Sequence, residues 1–332
     1  MSRRRALPWR AALTVALLAV VVGVPLALAS ELGKDSATSS GPVQSGAATP
    51  KPLLDRAAGA GRAVRAEEGS TRFAVDLSKP DVMHVHFGRA PRAGLLFDVR
   101  TGRVLWRLAP ERRLPIASLT KMMTALLAVE HDAHERVRIT RRATHTPGSA
   151  VGVLPKGKRV QLEALMNGLL LVSGNDAAVA LAQHVSGTVP AFVAGMNRRA
   201  KEMGLSCTRF TTPHGLEDQG NHSCAADLAA IARADLHHRR IRRIVRRDEA
   251  ILKFPIKGGR LFLYNHNPLV RTHYRGATGL KTGYTDRAGQ TIVATARRGS
   301  TELGVVLLHS YDAGGQAERV LDRGFKARQA SR

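Results

Sequence analysis

The chain has 332 residues, 44% of them hydrophobic, enough to bury the core of one large domain or two smaller ones. Only 4% are aromatic, which argues against a nucleic-acid surface of interleaved basic and aromatic side chains. A formal net charge of +25, mostly arginine, favours polyanions such as anionic lipid or an anionic wall polymer, although a bias towards Ala, Arg and Gly gives the same excess.

Residues 1–10 hold Arg3, Arg4, Arg5 and Arg10 and no acid, and Ala11 to Ala29 carries no charge and is rich in Leu, Val and Ala. With the small-x-small triplet Ala27-Leu28-Ala29, this predicts an export signal over residues 1–29. The apolar run is also long enough to stay as a membrane anchor. In either case the rest of the chain is expected outside the cytoplasm, secreted or tethered to the outer face of the membrane. Residues 30–80 are rich in Ser, Gly, Ala and Pro and predict a flexible linker. That leaves residues 81–332 as the folded domain.

Ala93 to Asp98 and Val104 to Arg107 flank Val99-Arg100-Thr101-Gly102 and predict a β-hairpin. Next comes a predicted helix, led in by Pro115, in which Leu119, Met122, Met123, Leu126 and Leu127 recur at helical spacing. Ser118 sits in its first turn, with Lys121 one turn later on the same side. A serine hydroxyl needs a neighbouring base to become a nucleophile. A lysine is such a base only when neutral, which burial and a nearby cation both favour. Taken alone, Ser-x-x-Lys also fits an ordinary buried helix start.

Thr140 to Lys158 is polar and Gly/Pro-punctuated and is expected to be loop. Gln161 to Val172 predicts a buried helix, which Ser173-Gly174-Asn175-Asp176 breaks, with Asp176 as the expected N-cap of a helix from Ala177 to His184. Thr188-Val189-Pro190 is expected to open a helix over Ala191 to Met203. Thr211 to Asn221 is turn-rich, and helices are predicted from Ala225 to Ala234 and from Leu236 to Arg247. The arginines of the second are expected on a solvated face. Three strands follow, over Ala277–Gly283, Gln290–Ala296 and Leu303–His309, and then an amphipathic helix over Ala317–Ala327. The expected fold is α/β (α+β): an antiparallel sheet built from both chain ends, with flanking helices and an inserted helical subdomain.

Three short motifs stand in order: Ser118-Leu119-Thr120-Lys121, Ser173-Gly174-Asn175 and Lys281-Thr282-Gly283. Pro115 to Thr124, Leu171 to Ala178, Gly195 to Ala200, Thr212-Pro213-His214-Gly215-Leu216 and Gly279 to Gly289 extend the pattern. Over residues 82–325 the sequence resembles the serine D-alanyl-D-alanine carboxypeptidases, the low-molecular-mass penicillin-binding proteins, and so implies a β-lactamase/DD-peptidase-like fold. The resemblance implies that Ser118 attacks the carbonyl of the penultimate D-Ala of a peptidoglycan stem peptide. Lys121 takes the hydroxyl proton, Ser173 relays a proton to the leaving amine, and Asn175 holds the substrate amide and the lysine. Lys281 supplies positive charge and, with Thr282, binds the terminal carboxylate. Gly283 lets the peptide lie against the strand, and the N–H groups of Ser118 and Tyr284 form the oxyanion hole. β-Lactam antibiotics are the expected inhibitors, and neither a cofactor nor a nucleic-acid partner is implied.

Glu163-x-x-x-Asn167 looks like the motif that deacylates class A β-lactamases, but it precedes Ser173 inside an apolar helix and is expected to be structural. Glu302 occupies a strand where relatives often carry an arginine near the substrate carboxylate, with Arg297 or Arg298 as substitutes. Cys207 and Cys224 flank the turn-rich loop and, in an exported chain, are a disulfide candidate. The histidine pairs, His131 with His134 and His237 with His238 among them, join no metal-type cluster in the sequence, so no metal site is expected. His214 is expected to be structural. The leading expectation is a D-Ala-D-Ala carboxypeptidase. The alternatives are a DD-endopeptidase on cross-links, a serine β-lactamase, and a non-enzymatic basic wall-binding protein.

Overall fold

Strand β1 (Ala93–Asp98) is buried along its whole length. In this computed structural model, which describes residues 72–216 and 219–330, β1 lies inside a five-stranded antiparallel sheet with helices on both faces. Its side chains alternate, as strand geometry requires: Leu95 and Phe97 enter one core and Leu96 the other. The predicted export signal and most of the predicted linker lie outside the described residues.

In chain order β1 pairs with β2 (Val104–Leu108), and a 3₁₀ turn (Ala117–Leu119) leads into α1 (Thr120–Ala128). Next come β3 (Arg136–Arg138), the single-turn α2 (Arg141–Thr144), β4 (Arg159–Gln161), α3 (Leu162–Leu170), α4 (Asn175–Ser186) and α5 (Val189–Glu202). Helices α6 (Ala225–His237) and α7 (Arg239–Val245) precede a hairpin of β5 (Glu249–Lys253) and β6 (Arg260–Tyr264) and the single-turn α8 (Pro268–Arg271). Strands β7 (Ala277–Thr285), β8 (Gly289–Arg298) and β9 (Thr301–Ser310) and helix α9 (Ala313–Ala330) close the chain. The sheet order is β2-β1-β9-β8-β7, so both chain ends build it, as expected. β9 pairs with β1 through Leu95↔Val306 and with β8 through Val293↔Val306.

One sheet face is covered by α9, whose Ala317, Val320, Leu321 and Phe325 meet Leu96, Ile292 and Val305. The other face meets α1 and α3–α7 in the larger core. Helix α1 is apolar almost all round, and accordingly only Leu127 of its nine residues escapes full burial.

Several expectations change. Asp176 does not cap: α4 begins at Asn175 after an extended Gly174. The Asp176 carboxylate instead accepts N–H bonds from Val151 and Gly152 at 2.9 and 3.0 Å and so anchors the preceding loop. That loop contains the short α2. The helix expected over 236–247 breaks at His238, whose backbone is extended between α6 and α7. The linker ends before residue 80, because Phe73, Val75 and Leu77 pack on the core and Asp76 N–H bonds the Gly102 carbonyl at 3.0 Å. Cys207 and Cys224 are joined as a disulfide, with Cα atoms 5.6 Å apart. Among the described residues no single helix is long and apolar enough to cross a membrane.

Candidate active site

The cleft forms where the 3₁₀ turn, the α3–α4 junction and the edge strand β7 meet. The turn is set by Ala117, held at φ +47°, and by Thr120, whose hydroxyl donates to the Ala117 carbonyl at 2.8 Å. Asn221 in turn donates to that hydroxyl at 2.9 Å. A left-handed φ is uncommon for alanine and costs about 1–3 kcal/mol, so packing around the turn must hold it. Gly215 supplies one part of that packing. It has φ +77°, and a Cβ there would collide with the Ala117 carbonyl.

Helix α1 then carries Lys121 beneath Ser118. The Lys121 Nζ lies 2.8 Å from Ser118 Oγ, 2.7 Å from Asn175 Oδ1 and 2.9 Å from the His214 carbonyl. Asn175 is fixed from its other end, donating from Nδ2 to the Pro147 carbonyl at 2.7 Å. Burial, and secondarily the charge of Lys281, hold Lys121 well below the usual lysine range. The amine is thus set to shed a proton, with a hydroxyl at hydrogen-bond distance. Burial, then Lys121, also lowers His214 to about 4, and its Nδ1 accepts the Leu216 N–H at 3.1 Å. His214 is therefore neutral, and its carbonyl is a third partner of Lys121.

The cleft encloses about 340 Å³ and is walled by Ser118, Ser173, Thr282, Gly283 and Tyr284, with Lys121, Asn175 and Lys281 buried behind. Ser149, His266 and Gln290 also line it. The backbone from Ser173 to Asn175 is sharply bent. Ser173 is left-handed, at φ +61°, and Asn175 is already helical. The bend directs the two side chains differently. Asn175 reaches Lys121, while Ser173 Oγ is buried at the cleft wall without a hydrogen-bond partner among the described residues. A buried hydroxyl in that state favours a ligand that would pair with it.

Lys281 also differs from expectation. It is 1% exposed, and burial lowers its pKa to about 7. Its Nζ donates to the neighbouring Thr282 carbonyl at 2.8 Å. Gly283 was expected to make room for a peptide. Its missing Cβ instead faces inward, 2.8 Å from Ser118 N and 2.7 Å from Thr291 Oγ1. The glycine lets β7 pass against the serine turn. Among the described residues β7 pairs only with β8, which leaves its other edge to take an added strand. Tyr284 is exposed, its hydroxyl donating to Asp286 at 3.1 Å.

Glu302 lies away from this site. In the register of the sheet it pairs with Arg297, whereas Lys281 lines up with Val293 and Val306 further along. Its carboxylate takes both bonds from Arg242, at 2.8 and 3.0 Å. Arg298 is tied to Asp322 and stacks on Phe325, so neither Glu302 nor Arg298 bears on carboxylate recognition in the cleft. Glu163 pairs with Arg240 and Arg243 at 3.6 and 3.3 Å, and Asn167 bonds back to the Glu163 carbonyl. The pair is structural, as expected. The arginines of α7 depart from the solvated-face expectation, since Arg240 and Arg242 turn inward to carboxylates and backbone carbonyls.

The sequence model of the family described as D-alanyl-D-alanine carboxypeptidase matches residues 88–311. D-alanyl-D-alanine carboxypeptidase DacB2 of Mycobacterium tuberculosis is 35% identical over 240 residues, 70% of this chain and 81% of that protein. DacF of Bacillus subtilis is 34% identical over 215 residues, 63% of this chain and 54% of that protein. The chain spans about half the length of several curated relatives it matches. A crystal structure of D-alanyl-D-alanine carboxypeptidase from Mycobacterium tuberculosis aligns with TM-score 0.68 and 32% identity, over 75% of this chain and 96% of that one. A mutant of a Streptomyces DD-transpeptidase aligns with TM-score 0.68 and 27% identity, over 73% of this chain and 100% of that one. With the motifs, the cleft and the sheet topology in agreement, the chain belongs to the D-alanyl-D-alanine carboxypeptidase family.

Proposed function

We propose that this chain is a serine carboxypeptidase that removes the terminal D-Ala from peptidoglycan pentapeptide stems. The observation that carries the reading is the 2.8 Å contact between Ser118 Oγ and a lysine amine whose burial favours the neutral form. Lys121 takes the Ser118 proton as Oγ attacks the penultimate D-Ala carbonyl. The developing oxyanion is met by the N–H groups of Ser118 and Tyr284. Collapse breaks the C–N bond, and Ser173 passes a proton to the departing amine of D-Ala. Water then cleaves the Ser118 ester. Lys281 and Thr282 receive the terminal carboxylate, and the peptide lies along the free edge of β7.

A penicillin enters the same sequence and stops at the acyl-enzyme. Glu163, engaged with Arg240 and Arg243, offers no base to a deacylating water, which weighs against a β-lactamase. The proposed substrate and the uncharged apolar segment 11–29 support a location outside the cytoplasm, secreted or anchored. An anionic wall polymer or lipid headgroup would meet the exposed Arg239 and Arg246 of the α7 region.

The test is labelling with a fluorescent penicillin beside a Ser118→Ala control. A stable adduct that the control lacks is expected. An adduct that forms without Ser118 would overturn the reading, and one that turns over rapidly would favour a β-lactamase. Release of D-Ala from diacyl-lysyl-D-Ala-D-Ala, with none from a cross-linked dimer, separates carboxypeptidase from endopeptidase.

A further inference from the structure

The sequence separates His131 and Glu135 from His184, and no metal-type cluster was expected from the histidines. The fold brings the three together. His131 and Glu135 lie in the segment that follows α1, and His184 lies in the last turn of α4. Glu135 Oε2 is 3.4 Å from His131 Nδ1 and 2.6 Å from His184 Nε2. The three donor atoms lie within 4.8 Å of one another, and the imidazole centroids are 5.7 Å apart.

We propose that His131, Glu135 and His184 bind one divalent transition-metal ion of the zinc class. Two imidazole nitrogens and one carboxylate oxygen form a donor set suited to such ions, with a fourth position left for solvent. Metal–ligand distances of about 2.0–2.2 Å in a tetrahedron put donors roughly 3.3 Å apart. The His131–Glu135 separation of 3.4 Å already fits, the His184–Glu135 separation of 2.6 Å must widen by a fraction of an ångström, and the third pair lies within 4.8 Å. The ion takes the place of the hydrogen bond between His184 Nε2 and Glu135 Oε2.

The surroundings support ligation. Glu135 Oε1 accepts the Asp132 N–H at 2.9 Å, which leaves Oε2 turned to the two imidazoles. Arg240 donates to the His131 carbonyl at 2.8 Å and to the Val129 carbonyl at 3.0 Å, fixing the backbone that presents His131. Glu135 and both histidines are partly exposed, so an ion reaches them from solvent.

The position gives the site a role. Ser118 and Lys121 stand at the start of α1, and Asn175 opens α4. The three ligands join the far ends of the same two helices. From Asn175 to His184 is about 13 Å along the helix, too far for an ion to touch the reacting atoms. The ion therefore acts as a clasp between two helices that carry the cleft.

The experiment uses the full chain without a metal-binding tag, stripped with a chelator and dialysed. Titration with cobalt(II) should show one saturable site with the visible absorption of a tetrahedral N/O complex, and zinc should displace it at one equivalent. His131→Gln and His184→Gln should each weaken cobalt binding roughly tenfold or more. Zinc should raise the melting temperature of the parent protein by several degrees and leave both variants unmoved. Penicillin labelling of both variants without metal should match the parent, which shows them folded. Absence of a saturable site, or a site retained in both folded variants, would overturn the proposal.

Discussion

The cleft and the arginine helix handle inward-facing cations in opposite ways. Lys121 and Lys281 are fully buried, and neither takes part in a salt bridge among the described residues. On α7 and just beyond it, Arg242 meets Glu302, Arg240 and Arg243 share Glu163, and Arg247 bonds Asn167. A buried lysine without a carboxylate answers by giving up its proton, which an arginine does not do. Burial thus yields a reactive amine in the cleft, whereas the partly exposed arginines of α7 keep their charge and meet carboxylates. Reactivity and cohesion are divided between two residue types.

The largest break in this comparison is Lys121→Arg. The guanidinium keeps a donor near Ser118 but cannot receive its proton. Acylation by penicillin should fall by roughly 10²–10⁴. The second-order rate of labelling measures it, with melting temperature as the check on folding. A rate within tenfold of the parent would remove Lys121 from the role of base.

Lys281 gives the next effect. Its folded pKa, about 7, lies below the unfolded value of 10.5. Above pH 7 the free enzyme loses the charge that would meet a carboxylate. The kcat/KM for a peptide ending in a carboxylate should then decline by up to about tenfold per pH unit, while an amide-terminated analogue shows no such limb. The sign for stability is the reverse. Between pH 7 and 10.5 the unfolded chain holds a proton that the folded one has released, so stability rises with pH across that window. A Lys281→Met variant should lose both dependences.

How much of this was legible in the sequence follows from the range of each interaction. Ser118 and Lys121 are one helical turn apart, so periodicity alone places them together. Strands β8 and β9 are runs rich in β-branched and apolar residues, and the last three strands pair in chain order. By contrast, the third partner of Lys121 is a backbone carbonyl at His214, and no side-chain pattern marks it. The inward direction of Gly283 depends on the twist of β7 against the serine turn. Strand β6, Arg260-Leu-Phe-Leu-Tyr, is apolar on both faces because Phe262 and Tyr264 are exposed, and this masks the alternation that would have announced it. Strand β3 has a single apolar residue, Val137. The His131, Glu135 and His184 group closes only when α4 packs beside α1.

The cohesive side of the comparison is tested by Glu302→Gln. The change leaves Arg242, one-third exposed, without its carboxylate. After allowing for the water that reaches the guanidinium, the loss should be about 1–2 kcal/mol. Denaturant unfolding measures it, and penicillin labelling should be unaltered, because Glu302 stands in register with Arg297 and away from Lys281. A loss of labelling with folding intact would show that this end of the sheet does reach the cleft.

The smallest effect concerns an acid that breaks the pattern on both sides. Asp235 in α6 is fully buried, and neither carboxylate oxygen has a hydrogen-bond partner among the described residues. Burial raises its pKa well above the usual 3.8. The unfolded chain releases this proton near pH 4, whereas the folded chain retains it to higher pH. Asp235 therefore costs stability increasingly as pH rises from 4 towards its folded pKa. Asp235→Asn keeps the shape and removes the titration. It should stabilise the protein at pH 7, where the folded chain holds the proton against release, and lose that advantage near pH 4. Unfolding at the two pH values decides it. A variant equally or less stable at pH 7 would mean that the fold pairs Asp235 after all, as it pairs the carboxylates facing α7, rather than leaving it to burial as it leaves the cleft lysines.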